Sequence, residues 1–294
     1  MKSGFIAIVG KPNAGKSTLL NSLLGEKLAI TTHKAQTTRN AILGILNKPD
    51  YQLVFIDTPG IHNPKTHLGN YMNKEAYNQA YGADVIYYLV DGKTGLRQDD
   101  KEILDKLFEY DIPVFLVVNK LDEIKSDKLI ERLAYASNNY NFKEIIPISA
   151  LKKDNLDDLL NTTLSYLNDG VKYYPDDVSS PNSLEFRIAE IIREKVILNT
   201  EEEVPHLAAV KIDTLKETEK RITIEATIIV NKSSHKGIII GKAGSMLKRI
   251  NMAASKDIKE ITGKKVFLSL YVKVEEDWLN KDKKLFDLGY FLDK

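Results

Sequence analysis

Apolar positions follow two regimes along the chain. Through roughly the first 150 residues they gather in short unbroken runs, mostly β-branched or aromatic: Ile6–Val9, Leu53–Ile56, Val85–Val90, Val114–Val118 and Ile145–Ile148, with a weaker run near Ala41–Asn47. Short apolar runs without polar alternation are the mark of strands buried on both faces, as in a parallel sheet. Helical spacing fills the gaps, in Ser17 to about Gly25, Asp100–Phe108, Asp127–Tyr135 and Leu156–Leu167. Strands alternating with helices predict a doubly wound α/β sheet covered on both sides.

After Asn168-Asp169-Gly170, a helix stop signal, the pattern lapses. Residues 171–182 are polar, carry Pro175 and Pro181, show no period and read as a linker. A second regime follows. Ser183–Leu198 sets Leu184, Ile188, Ile191, Ile192 and Val196 on one helical face. Ala208–Thr214 and Arg221–Val230 alternate around a polar turn, Glu217-Thr218-Glu219-Lys220, and predict a hairpin. Two helices meet across Gly241-Lys242-Ala243-Gly244, the second running to about Ile261, and Val266–Val274 is a last strand. Trp278, Leu279, Leu285, Phe286 and Leu288 suggest a closing helix in which Trp278 packs. The expected division is 1–170, a linker over 171–182, and a smaller α+β domain over 183–294.

Composition narrows the class. The 294 residues are 43% hydrophobic and 28% charged, an ordinary globular balance, and the net charge of +1 can conceal a basic region. There is no cysteine, which excludes disulfides, thiolate metal clusters and thiol nucleophiles. No apolar run approaches the length of a membrane span. Met1-Lys2-Ser3-Gly4 leads straight into the first core strand, not into a signal peptide, so the cytoplasm is the expected compartment. His33, His67, His206 and His235 show no metal spacing and read as surface or capping residues.

Chemistry sits at the strand ends, where an open α/β sheet places its ligands. Gly10-Lys11-Pro12-Asn13-Ala14-Gly15-Lys16-Ser17-Thr18 is a phosphate loop between strand and helix. Its glycines let successive N–H groups converge on phosphate oxygens, and the helix start adds its dipole. Lys16 is expected to reach the β- and γ-phosphates and Ser17 to ligate Mg²⁺. Asp57-Thr58-Pro59-Gly60 follows the next run: Asp57 fits the carboxylate behind the Mg²⁺ shell, and Gly60 leaves its N–H open to the γ-phosphate. Asn119-Lys120-Leu121-Asp122 follows Val118, and Asp122 can accept from both N1–H and the exocyclic amine of guanine. Adenine has no N1–H, so a buried carboxylate facing it would lose a partner. Ser149-Ala150-Leu151 ends the last run, with N–H groups for the guanine O6.

These four segments, in this order, resemble the motifs of the translation-factor class of GTPases. The resemblance implies that Asn119 and Lys120 brace the base, the lysine stem lying over the purine. It also makes Ala35-Gln36-Thr37-Thr38-Arg39 the first switch, in which Thr37 or, by preference, Thr38 joins Mg²⁺. Lys16, Thr38 and Gly60 then carry the catalytic contacts. Where Ras-type enzymes follow the glycine with a water-orienting glutamine, this chain has Ile61, so no general base is assigned, and slow intrinsic turnover is expected.

The second regime, with its α-β-β-α-α-β order and Gly-x-x-Gly between two helices, resembles a KH domain of the second topological type, which clamps about four nucleotides of single-stranded RNA. Lys236, Ile240, Gly241, Lys242, Ala243, Gly244, Lys248 and Arg249 are the expected contacts, with RNA rather than DNA as the nucleic acid. Ile238, Ile239, Ile240 and Ile250 are a candidate apolar floor, and Lys232, Lys256 and Lys259 extend the basic face. Together the two halves are similar to the bacterial Era GTPases over nearly the whole chain. That resemblance implies GTP and GDP as substrate and product, Mg²⁺ as cofactor, 16S ribosomal RNA near its 3′ end and the 30S subunit as partners, and peripheral membrane association in some members. A signalling GTPase whose second domain binds protein, and an RNA-binding protein with a vestigial nucleotide site, are the competing readings.

Overall fold

Strand β1 (Lys2–Gly10) runs through the middle of a six-stranded sheet in the computed structural model, which describes residues 1–32, 34 and 37–290. Parallel neighbours flank it, β3 (Tyr51–Asp57) on one side and β4 (Val85–Asp91) on the other. β5 (Val114–Asn119) and β6 (Glu144–Pro147) extend the sheet past β4, and β2 (Ile42–Asn47) closes the opposite edge, giving the order β2-β3-β1-β4-β5-β6. β2 is antiparallel to β3, from Ile42↔Asp57 to Asn47↔Gln52, because only a three-residue turn joins them and a parallel pair needs a long crossover.

Five helices cover this sheet: α1 (Lys16–Leu24), α2 (His67–Tyr81), α3 (Asp100–Phe108), α4 (Ser126–Asn139) and α5 (Leu156–Tyr166). Ala76 and Ala80 of α2, Ile103, Leu104 and Leu107 of α3 and Ala136 of α4 bury the face formed by Ala7, Val9, Tyr88, Leu116 and Val118. On the other side the Tyr87 hydroxyl meets that of Thr163 of α5 at 2.5 Å, and Phe115 lies edge-on to Tyr166. β1 and β4 are the adjacent strands whose connections leave in opposite directions, so a crevice opens beyond their carboxyl ends. The proline-bearing segment after α5 is strapped to this unit. The side-chain oxygen of the buried Gln52 accepts from the N–H groups of Tyr173 and Tyr174, and Ile45 N–H donates to Ser179.

The second unit takes in 182–290, the segment Lys65–Leu68, and Thr32, Lys34 and Thr37. Ser183 caps α6 (Leu184–Asn199) by accepting from Phe186 N–H at 3.2 Å. After a short α7 (Val204–Leu207), β7 (Ala209–Glu217) and β8 (Arg221–Val230) form the antiparallel hairpin. α8 (Ser233–Ile240) and α9 (Ser245–Thr262) follow, and β9 (Lys265–Val274) lies parallel to β8. Ile188, Ile192 and Val196 of α6 pack with Ile250, Ala254 and Ile258 of α9 onto Ile222, Ile224 and Ile228 of β8. The closing segment is a single turn, Trp278–Asn280, and α10 (Asp282–Asp287). Trp278 is fully buried, donates from Nε1 to the Leu207 carbonyl at 3.0 Å and stacks on Tyr290, while Phe286 is exposed.

Three expectations change. His235 is buried in α8 and is not a surface residue. Ile239 and Ile250 are fully buried in the core, so they cannot form a floor beneath a ligand; of the four candidates Ile238 is exposed and Ile240 half-buried. The helix α2 was not expected from the pattern. His33, Ala35, Gln36 and the end of the chain, 291–294, lie outside the described residues. Among the described residues no helix is long and apolar enough to cross a membrane.

Candidate nucleotide site and RNA loop

The phosphate loop is built by close packing. Gly10 has φ +152, and a Cβ there would stand 2.4 Å from the Leu89 carbonyl oxygen. At Gly15, with φ +99, a Cβ would strike the Asn119 side chain at 2.3 Å. Asn119 is buried and spans two loops: its amide donates to the Ala14 carbonyl at 2.9 Å, and its oxygen accepts from Ala150 N–H at 2.9 Å. One side chain therefore fixes the phosphate loop to the loop after β6. Lys16 is buried, and its ammonium donates to the carbonyls of Gly10 at 3.1 Å and Lys11 at 2.9 Å. Thr18 lies within the first turn of α1.

Three hydroxyl and carboxyl groups converge beside it. Ser17 Oγ donates to Asp57 Oδ2 at 2.6 Å, Thr38 Oγ1 donates to the same oxygen at 3.2 Å, and the two hydroxyls are 3.0 Å apart. Asp57 Oδ1 is buried without a hydrogen-bond partner. Burial pushes the Asp57 carboxyl up to about 6, against the pull of Lys16 and the two hydroxyls, and burial brings Lys16 down to about 8 against the attraction of Asp57. An orphaned carboxylate oxygen, two hydroxyls within reach of it and a carboxyl that burial leaves short of positive charge are the donor set a hard divalent cation takes. The residues fit Mg²⁺. Thr37 points elsewhere: its hydroxyl meets Thr32 at 2.7 Å and the Lys34 carbonyl at 2.7 Å, and its carbonyl accepts from the buried guanidinium of Arg193, all within the second unit.

The loop after β3 divides its labour. Thr58 is fully buried and bonds the Ile8 carbonyl through its hydroxyl at 2.8 Å, a structural tie. Pro59 and Gly60 follow, and a Cβ on Gly60 would lie 2.9 Å from Pro12. The Ile61 side chain joins the hydrophobic core, and its N–H donates to the Gly10 carbonyl at 3.1 Å. His62 Nδ1 lies 2.9 Å from the Gly60 carbonyl oxygen.

At the base end, Asp122 is exposed and not the buried carboxylate of the selectivity argument, because it sits on a short helical turn after β5, and it accepts from the Ser149 hydroxyl at 2.5 Å. Lys120 adopts φ +67 and pairs with Asp91 at 2.7 Å. Leu151 is exposed beside Ala150. The Lys11 side chain turns away from the loop that carries it and pairs with Asp99 at 2.5 Å and Asp100 at 2.9 Å. Buried Asp100 also accepts from the Tyr88 hydroxyl and from Arg97 N–H at 2.6 Å. Pattern reading missed this carboxylate because Lys11, its charged partner, lies far away in sequence. A cleft of about 290 Å³ opens here, lined by Pro12, Asn13, Asp91, Thr94 and Arg97 among others.

In the second unit, Gly241 has φ +72 and Gly244 has φ +77, with Ala243 between them at φ +50. Three left-handed residues in four turn the chain sharply between α8 and α9. A Cβ on Gly241 would meet Met246 N at 2.9 Å, whereas Gly244 faces open space. Lys242, Ala243, Lys248 and Arg249 are exposed, and Lys236 and Ile240 are half-buried.

Known proteins match at both scales. A family described as 50S ribosome-binding GTPases matches residues 5–120, and the KH domain family matches residues 203–279. Two GTPase Era sequences from Clostridium kluyveri are each 49% identical over 291 residues, covering 99% of this chain and 99% of theirs. Among solved structures, Era in complex with MgGDPNP and nucleotides 1506–1542 of 16S ribosomal RNA superimposes with a TM-score of 0.96 at 42% identity, over 99% of this chain and 100% of that one. An Aquifex aeolicus Era variant bound to GDP·AlF4⁻ does so with a TM-score of 0.96 at 41% identity and the same coverage. Identity at this level from end to end settles the family. The chain belongs to the Era GTPases: a Mg²⁺-dependent P-loop GTPase that converts GTP to GDP, followed by a KH domain.

Proposed function

We propose that this chain is a cytoplasmic GTP-driven switch that grips single-stranded 16S ribosomal RNA near its 3′ end during assembly of the 30S subunit, the inner face of the membrane being a second station. The loop N–H groups and Lys16 take the β- and γ-phosphates. Ser17, Thr38 and Asp57 hold Mg²⁺, which neutralises charge on the transferring phosphoryl group. Gly60 brings an unobstructed N–H to the γ-phosphate. Asp122 reads guanine, while Asn119 and Lys120 keep the base loop and the phosphate loop in register. Ile61 is committed to the core, so the chain supplies no polar side chain at the position where a water-orienting glutamine would act, and turnover is slow without a partner.

In the second domain, which we place over 183–294, the turn at Gly241–Gly244 takes the RNA backbone. Lys242, Lys248 and Arg249 face the phosphates, and Lys236 and Ile240 line the approach. One observation carries the coupling of the two activities. Thr37 and Thr38 are consecutive, yet Thr37 bonds within the second unit and the Thr38 hydroxyl bonds Ser17 and Asp57 in the first. Ordering of Thr38 by Mg²⁺ and the γ-phosphate must then bear on its neighbour, and by linkage RNA must alter nucleotide affinity by the same factor.

The test is the affinity of a fluorescent strand with the 16S 3′-terminal sequence for the protein loaded with a non-hydrolysable GTP analogue or with GDP. The coupling expected of such switches is about 5- to 150-fold. Equal affinities would refute it.

A further inference from the structure

One face of the second sheet is fully engaged and the other is open. Ile222, Ile224, Ala226 and Ile228 of β8, with Val266, Leu268, Leu270 and Val272 of β9, turn towards the core under α6 and α9. The two-residue period of a strand therefore turns Phe267 and Tyr271 the opposite way, and they are 46% and 56% exposed. Both sit on an edge strand, where exposed aromatic surface is a hazard unless it has a use.

The register arranges that face in rows. Phe267 lies opposite Thr223, which lies opposite Lys216; Tyr271 lies opposite Thr227, which lies opposite Lys211. Ring, hydroxyl and lysine thus occur twice in the same order. Four residues of strand set the two rings about 13 Å apart, room for each to take its own base. A third row pairs Arg221 with Lys265, whose ammonium rests 5.1 Å from the Phe267 ring centroid. These three rows hold four cations and no acid; Asp213, which accepts from Thr227 at 2.7 Å, and Glu225, opposite Ser269, are the acids beside them.

We propose that this outer sheet face is a second single-stranded RNA surface, with bases stacked on Phe267 and Tyr271 and phosphates on Lys211 and Lys216. The inference rests on the RNA reading above and extends it to the far side of the same sheet. β9 is packed by α8 and α9, the helices that bracket the Gly241–Gly244 turn, so a strand leaving the turn past the β9 edge arrives at the two rings. A loop that clamps about four nucleotides leaves a longer RNA in need of more surface. Stacking on aromatic rings holds any base, and the lysine ends of the rows favour a phosphate backbone over an apolar protein partner.

The experiment titrates the full chain with two labelled RNAs, a tetranucleotide and an unstructured strand about three times as long. Loss of one stacking ring weakens binding by roughly 5- to 150-fold. Phe267→Ala with Tyr271→Ala is therefore expected to weaken the long strand by about tenfold or more, leaving the tetranucleotide unaffected, while Tyr271→Trp preserves long-strand affinity. Ultraviolet crosslinks of the long strand are expected at Phe267 or Tyr271. Unchanged long-strand affinity in the double alanine variant overturns the proposal. So does protection of the face by a second copy or another protein with RNA absent. If wild-type protein binds neither RNA, the RNA reading itself falls, a result distinct from losing only the long-strand advantage.

Discussion

In the proposed function two glycine-bearing loops present backbone to phosphates, and they are built on opposite plans. The loop at 10–15 is packed tightly at its glycines and its lysine. Leu89, Asn119 and Pro12 stand within contact of its backbone or of Gly60, and Lys16 donates to two of its carbonyls. In the loop at 241–244 the first glycine packs against Met246, Gly244 N–H closes back on the Gly241 carbonyl at 3.2 Å, and a Cβ on Gly244 would face open space. The first loop is thus preorganised by long-range packing around a compact, highly charged ligand. The second is shaped by local backbone conformation and left accessible to a polymer that arrives from solution. Preorganisation suits transition-state electrostatics, where reorganisation during the reaction is costly. Accessibility suits a strand whose length passes beyond the grip.

Matched substitutions break this comparison most forcefully. Gly15→Ala places a Cβ on the Asn119 amide at φ +99, so a strained backbone and a displaced brace act together. Strain of that kind is worth about 1–3 kcal/mol before any clash. We expect nucleotide affinity to fall by about a hundredfold or more, measured by equilibrium titration with a fluorescent GDP, since a shift of about 3 kcal/mol in loop geometry is passed directly to binding. Gly244→Ala, at φ +77 with nothing nearby, is expected to cost only about 1–2 kcal/mol of stability, the left-handed penalty alone. If the two substitutions proved equally damaging, the contrast between a packed and an open loop would be wrong.

The second loop is expected to be more sensitive to charge than to shape. Lys242→Asp with Ala243→Asp puts two carboxylates where phosphates must approach, on residues that are exposed and make no core contact. Removal of one favourable charge and addition of two repulsive ones is expected to abolish measurable RNA binding, while GTP turnover and the melting temperature stay as in wild type. Each lost phosphate contact also flattens the salt dependence of whatever binding survives. Retained affinity would move the RNA grip away from this turn.

What could be read from the chain beforehand follows the same divide. The phosphate loop, Asp57, Asn119 and Asp122 announce themselves because each motif is a few consecutive residues at the end of an apolar run. Helix α2 stayed hidden because its inward positions are Leu68, Met72, Ala76 and Ala80, and two alanines carry little hydrophobic signal among Asn, Lys and Gln. The Lys11–Asp100–Tyr88 network was invisible for a different reason: a buried carboxylate looks like any helix-start aspartate until folding brings the loop of β1 against α3. Ile239 and Ile250 sat correctly near the turn, but helical rotation sends them to the core and leaves Ile238 outside. Local sequence therefore points to the proposed ligands, while burial and long-range partners decide which neighbours support them. The proposal of Thr38 over Thr37 has the same ground, since contact with Ser17 and Asp57 separates the two.

A final contrast lies in buried charge, because the nucleotide site confines Lys16 and Asp57 whereas Lys242, Lys248 and Arg249 stay in water. Burial pushes the Asp57 carboxyl up to about 6 from its ordinary 3.8, so the folded state holds the proton more tightly than the unfolded chain between about pH 4 and 6. Stability contributed by this group is present below pH 4 and is lost as pH rises through 6. Lys16, brought down to about 8 from 10.5, works the other way: its contribution is present at high pH and lost as pH falls through 8. Together they place the weakest point of the nucleotide-free protein between about pH 6 and 8, where both groups are charged and buried. A two-unit displacement amounts to about 3 kcal/mol at most. Asp57→Asn removes the lower limb, so wild type should lose stability relative to that variant between pH 4 and 6 in urea titrations. Mg²⁺ with a GTP analogue should reverse the difference in favour of wild type, because ligands that bind only the folded form stabilise it. A pH-independent gap between the two proteins would show that Asp57 is not strained by burial, and the argument for a cation at this carboxylate would lose its electrostatic support.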